Sequence, residues 1–226
     1  MKTNILSFDL SSARTGCVCI SLDDKEIKFM DTFSISPNVK KEDIISNLGF
    51  LPKKQVVAKK GKRISFYAKF HGEEITQAEK QKRDVLVRNS VNGAIKKEIS
   101  TALKTAVENI KPDLVLVERN EAFNGVLTTK FLAEIRGILE GVAVEQPIIQ
   151  YSVAEIRKKF NLAKMTREYI KSLDSPKYIQ GKKDITKLVI KNFLENKYSI
   201  RCSNTDESDA LAVFDHYYET EVKNND

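Results

Sequence analysis

The 226-residue chain has few of the residues that build small stapled or metal-knit domains: three cysteines, two histidines, nine glycines and five prolines. Cys17, Cys19 and Cys202 are odd in number and lack metal-site spacing. Cys17 and Cys19 would share one face of a strand, where a disulfide is geometrically awkward, so all three read as reduced thiols of a cytoplasmic protein. Neither His71 nor His216 has a partner at ligand spacing, which argues against zinc. No apolar run approaches the ~20 residues that span a bilayer. Asp9 interrupts the N-terminal apolar stretch too early for a signal peptide. Internal repeats and low-complexity segments are also missing.

The chain does contain enough apolar residues for a core, 41%, in a length that suits a single domain carrying insertions. Its net charge of +7 is unevenly spread. Residues 52–88 hold 11 basic and 4 acidic side chains, and residues 155–201 hold 13 and 5. The remainder, with 14 basic and 22 acidic, is negative. Basic segments around an acidic centre suit a protein that grips a polyanion at its rims and holds cations at its middle. A run of charge is more often a solvated surface. Here both segments also carry aromatics able to stack on bases, which favours nucleic acid.

Residues 4–9, 16–22 and 26–35 read as three strands joined by short turns, an antiparallel meander. Residues 36–76 fit no compact element, except that 55–58 and 64–68 flank Lys59-Lys60-Gly61-Lys62-Arg63 as a hairpin with a basic tip. A charged helix of about 30 residues runs from about 77 to Pro112 and is expected to project beyond the core. A buried strand at 113–118, a helix at 125–146 and a strand at 148–151 follow. Ser152 caps a helix at 153–160, and 161–180 reads as an irregular basic insertion. Helices at 184–196 and from Asp206 complete the chain, whose end, 219–226, should fray. This order predicts an α/β fold, a mixed five-stranded sheet with helices on both faces.

Four acids stand where elements begin or end. Asp9 closes the first strand and Glu118 the fourth. Asp206 and Asp209 share one face of a helix's first turn, three residues apart. First-turn acids also complement a helix dipole, and strand-end acids can cap or pair with Arg14 or Arg119. If the first and fourth strands are parallel neighbours, however, all four carboxylates meet at one edge, where only a cation would relieve their repulsion. Magnesium takes oxygen ligands of this kind. Two such ions about 3.5–4 Å apart can activate water and stabilise a leaving phosphate oxygen. His216, two turns beyond Asp209 and about 10 Å away, is expected to be structural.

The stretches ILSFDLSSARTG (5–16), PDLVLVE (112–118) and DESDALAV (206–213) resemble the RuvC-type Holliday junction resolvases of the RNase H-like superfamily. Weaker similarity covers 136–160 and 181–190, leaving out 36–75 and 161–180. The resemblance implies an RNase H-like fold and a metal-dependent endonuclease for four-way or other branched DNA, in a divergent phage or virus-like form. It implies Mg²⁺, with Mn²⁺ able to substitute, held by Asp9, Glu118, Asp206 and Asp209 as the catalytic acids. Lys182 or Lys183 would match a basic residue near the scissile phosphate, and Lys59, Lys60, Lys62 and Arg63 would add phosphate contacts. A homodimer through the 125–146 helix is implied as well. The apolar Val126, Leu132, Ala133, Leu139 and Val144 suit such an interface. Two competing readings are an actin-like ATPase or kinase and a non-catalytic DNA-binding module. The first would need a second glycine-rich phosphate loop, which nine glycines do not supply. Four retained acids speak against the second.

Overall fold

The computed structural model describes residues 2–49, 77–119, 126–158, 160, 162–171 and 182–223. The strands are β1 (Lys2–Asp9), β2 (Thr15–Asp23), β3 (Glu26–Ile35), β4 (Leu114–Arg119) and β5 (Ile148–Ser152). They form one sheet in the order β3-β2-β1-β4-β5. β1, β2 and β3 are the expected antiparallel meander, and β4 pairs parallel to β1 and to β5. The β2–β3 connection is the two-residue loop Asp24-Lys25, with φ of 44° and 70°. Positive φ at both positions matches the strand twist that a tight hairpin needs.

The helices are α1 (Lys41–Asn47), α2 (Gln77–Ile110), α3 (Val126–Val142), α4 (Val153–Lys158), α5 (Leu162–Lys171), α6 (Lys182–Tyr198) and α7 (Thr205–Tyr217). A π-helical turn, Tyr218–Val222, extends α7. The chain divides into two compact units, Met1–Ser36 with Ile99–Asp226, and Pro37–Glu98. The first holds the sheet and α3 to α7, and the second holds α1 and the first part of α2.

Helices cover both faces of the sheet, as the residue alternation requires. Ile5, Val18, Ile20, Leu22, Leu114 and Leu116 point to one face and pack with Ala210–Phe214 of α7. Ile156 of α4 and Ile190 and Leu194 of α6 join the same cluster, so α7 is buried on all sides between the sheet and other helices. Leu6, Phe8, Cys17, Val115 and Val117 alternate with that set and serve the opposite face. Ile99 and Leu103 of α2 and Ile135 and Leu139 of α3 are fully buried outside the α7 cluster. Ser152 and Glu155 form the capping box of α4. The serine hydroxyl accepts from Glu155 N–H at 3.1 Å, and the carboxylate accepts from Ser152 N–H at 2.6 Å.

The fold departs from the sequence reading in four places. α1 occupies part of the stretch read as having no compact element. It has no side-chain cap and one buried residue, Ile45, so it leaves almost no periodic signal. Within 161–180, Leu162–Lys171 is helical, with Met165 packed against the α7 cluster. α3 stops at Val142 rather than continuing to Pro147, and its Leu132 and Leu139 belong to the chain's own core. The apolar surplus expected on that helix is therefore smaller than its composition suggests. Finally, the chain does not fray at Glu219. Lys197 donates to its carboxylate at 2.7 Å and Lys223 at 2.9 Å, and Tyr218 O–H donates to Lys25 C=O at 2.8 Å. Lys197 also donates to the buried Asp215 at 2.5 Å, which ties α6 to α7. The hairpin expected at 55–68 lies outside the described residues.

One glycine decides how closely α7 approaches the sheet. A Cβ on Gly16 would lie 1.9 Å from the Asp206 carbonyl oxygen and 2.7 Å from Glu207 N. Both are backbone atoms and neither can rotate away. Gly16→Ala is expected to push the first turn of α7 off β2 and to cost about 3 kcal/mol or more. Equilibrium denaturation checks this, and a loss under about 0.5 kcal/mol, the range of an ordinary surface change, would contradict it.

Candidate metal centre

Alternation along the strands places the acids. Residues 5, 7 and 9 of β1 share the α7 face, as do 16, 18 and 20 of β2 and 114, 116 and 118 of β4. Asp9 and Gly16 are paired across β1 and β2, at the end where both strands leave the sheet. Glu118 follows the β4 residues that pair with β1 and sits opposite Tyr151 of β5. Asp9 and Glu118 therefore emerge on the same face at the same end, as the sequence reading required of parallel neighbours.

α7 brings the other two acids. Asn204 is its N-cap, accepting from Asp206 N–H at 3.0 Å and Glu207 N–H at 3.1 Å. The buried Glu207 turns the opposite way from the acids. It accepts from Ser203 N–H at 2.7 Å, Asn204 Nδ2 at 3.0 Å and Thr32 O–H at 3.1 Å, which fastens the helix start to β3. Ser7 O–H donates to Ala210 C=O at 2.8 Å and fastens the next turn to β1. With both turns held, carboxylate oxygens of Asp9, Asp206 and Asp209 lie within 4.8 Å of one another. Glu118 stands beside this trio, and its charge is the strongest of those that disfavour ionised Asp9.

Burial and like charge work against ionisation here. Asp9 is held well above the usual carboxylate range, first by burial and then by Glu118 and Asp209. Burial also raises Asp209, and the adjacent Lys187 ammonium offsets only part of it. Lys187 donates to Asp209 Oδ2 and forms an ion pair with it. Burial acts to lower the lysine's own pKa, but Asp209, Asp9 and Asp206 outweigh it and keep the ammonium charged. All three clustered donors are hard carboxylate oxygens, which fits magnesium or manganese better than zinc or copper.

Lys187 was not among the residues singled out from the sequence. Its signal was its phase: it stands three residues before Ile190 and seven before Leu194, on the buried stripe of α6. Lys182 and Lys183 open α6, but their side chains lie outside the described residues. Lys59, Lys60, Lys62 and Arg63 also lie outside them. His216 packs edge-on against Tyr151, ring centroids 4.6 Å apart.

No family model matches this chain, and no curated protein matches it in sequence. In its fold the chain is similar to solved resolvase structures. Against Thermus thermophilus RuvC in complex with Holliday junction substrate, identity is 10% over 98% of each chain, with a TM-score of 0.49. A second structure of T. thermophilus RuvC gives 10% over 97% of this chain and 96% of that one, at 0.49. The yeast mitochondrial Holliday junction resolvase Ydc2 gives 11% over 96% and 79%, at 0.43.

The acids make a prediction about pH. An aspartate whose folded pKa is raised binds more protons folded than unfolded, so it lowers stability as pH rises from the normal aspartate value through the raised one. In buffer with a chelator, Asp9→Asn is expected to raise Tm by a few degrees near pH 7. The gain should shrink as pH is lowered from 7 toward the ordinary aspartate value, because the folded wild type then protonates this group itself. Thermal melts of both proteins across that range check it. A gain that does not vary with pH, or a loss at pH 7, would contradict it.

Proposed function

We propose that this protein is a metal-dependent, structure-selective DNA endonuclease that cuts phosphodiester bonds in branched DNA such as four-way junctions. The observation that carries the reading is the meeting of Asp9, Asp206 and Asp209 within 4.8 Å, from a strand end and a helix start far apart in sequence. Buried acids that disfavour one another's charge cost stability, and such sites are usually functional. The resemblance of ILSFDLSSARTG, PDLVLVE and DESDALAV to RuvC-type resolvases supplies the reaction class and the four-way junction.

Asp9, Glu118, Asp206 and Asp209 would hold Mg²⁺, or Mn²⁺ in its place. When bound, such ions polarise the scissile phosphate and lower the pKa of attacking water. The protein's own part is positional. β1 and β4 fix Asp9 and Glu118 on rigid strand ends, while the Asn204 cap and Glu207 fix the turn that carries Asp206 and Asp209. The segments 52–88 and 155–201, basic in sequence, are the proposed source of positive charge for the phosphate backbone. Lys59, Lys60, Lys62, Arg63, Lys182 and Lys183 are the proposed phosphate contacts, positioning DNA without reading its sequence. The homodimer that would give paired nicks across a junction is part of the proposal and rests on the same resemblance.

Asp209→Asn tests the reading. It nearly keeps volume but removes a charge and a strong metal-binding oxygen. Single-turnover cleavage of a labelled four-way junction in saturating Mg²⁺ is expected to fall by about a hundredfold or more. Junction binding should persist, because less negative charge faces the phosphates. Near-normal cutting by the variant would sink the assignment, and turnover of ATP without cutting by the wild type would favour a kinase-like reading instead.

A further inference from the structure

We propose that Lys187 is an internal counter-cation of the carboxylate cluster, holding Asp209 in the metal-free protein and competing with a divalent cation for it. This deepens the metal-binding reading above and rests on it.

Lys187 contacts one of the three clustered acids directly, through Asp209 Oδ2. The contact is built into the fold. Ile190 and Leu194, three and seven residues further along α6, are 2% and 0% exposed in the core around α7, so the helix aims position 187 toward α7. The Asp209 side chain is 13% exposed and that of Lys187 37%. The carboxylate is fixed in place, whereas the ammonium sits on a flexible four-carbon stem that can withdraw toward water.

A dication drawn to the trio meets this ammonium at the same carboxylate. Their repulsion is strong at contact range in a half-buried setting. Loading the site therefore requires Lys187 to leave Asp209, which makes metal binding weaker than the acids alone would allow. Among the described residues a lysine placed this way keeps crowded acids tolerable until a stronger cation arrives.

The test titrates Mn²⁺ alone, without DNA, into full-length wild type, Lys187→Met and Lys187→Arg, reading free Mn²⁺ by electron paramagnetic resonance. Lys187→Met is expected to bind Mn²⁺ at least about tenfold more tightly. Lys187→Arg keeps the charge and should stay within about threefold of wild type. Without metal, Lys187→Met should melt at a lower temperature than wild type, and saturating Mn²⁺ should close that gap. If Lys187→Met does not fold, Lys187→Gln carries the same comparison.

Equal Mn²⁺ affinity in wild type and Lys187→Met would overturn the counter-cation role and leave the metal-binding reading standing. So would an equal stability loss with and without Mn²⁺, the mark of a simple tether between α6 and α7. Failure of wild type and both variants alike to bind Mn²⁺ would overturn both.

Discussion

The close seating of α7 on the sheet is the constraint from which the rest follows. Its first turn rests on Gly16 so tightly that even a methyl group would overlap the Asp206 carbonyl. Hydrogen bonds then pin it to strands on either side, through Ser7 to β1 and through Glu207 and Thr32 to β3. Asp9 lies across the β1–β2 ladder from that glycine. The distance between the strand-end acid and the helix-start acids is thus set by backbone packing and not by side-chain choice. A looser helix would leave each aspartate an ordinary surface acid.

That geometry has an electrostatic cost. Apolar burial of Ala210–Phe214 drives α7 onto the sheet regardless of what its first turn carries, and it delivers two carboxylates next to a third. Burial and mutual repulsion raise Asp9, and Lys187 relieves Asp209 only in part. A sequence optimised for stability alone would place neutral residues at these positions. Asp215, on the same helix, shows the contrast. It is equally a buried acid, but Lys197 and Tyr198 O–H each reach it at 2.5 Å. Those bonds tie α6 to α7.

Much of this was legible in the sequence because it depends on period and punctuation. The strands are short apolar runs that end in an acid or a turn, and alternation along them fixes which residues share a face. The N-cap at Asn204 and the capping box at Ser152 announce their helices locally. The missed features depend on partners distant in sequence or on weak local signals. Gly16 reads as a turn residue, whereas its role comes from a helix 190 positions later. Lys187 reads as one lysine among many in a basic segment until Asp209, 22 residues on, gives it a partner. α1 is too short and too polar to show a stripe. α5 has apolar residues at 162, 165 and 170 that a helical reading could have used, but its basic neighbours suggested a loop.

The central claim is that the fold assembles these carboxylates to hold a divalent cation. A crystal structure of the protein soaked in Mn²⁺, with anomalous diffraction recorded near the manganese edge, tests it most directly. The account predicts an anomalous peak in contact with Asp9, Asp206 and Asp209, at roughly 2.1 Å from their oxygens as expected for a small hard cation, with the Lys187 ammonium withdrawn from Asp209. A map with no peak at this edge, and Lys187 still on Asp209 in excess Mn²⁺, would contradict it.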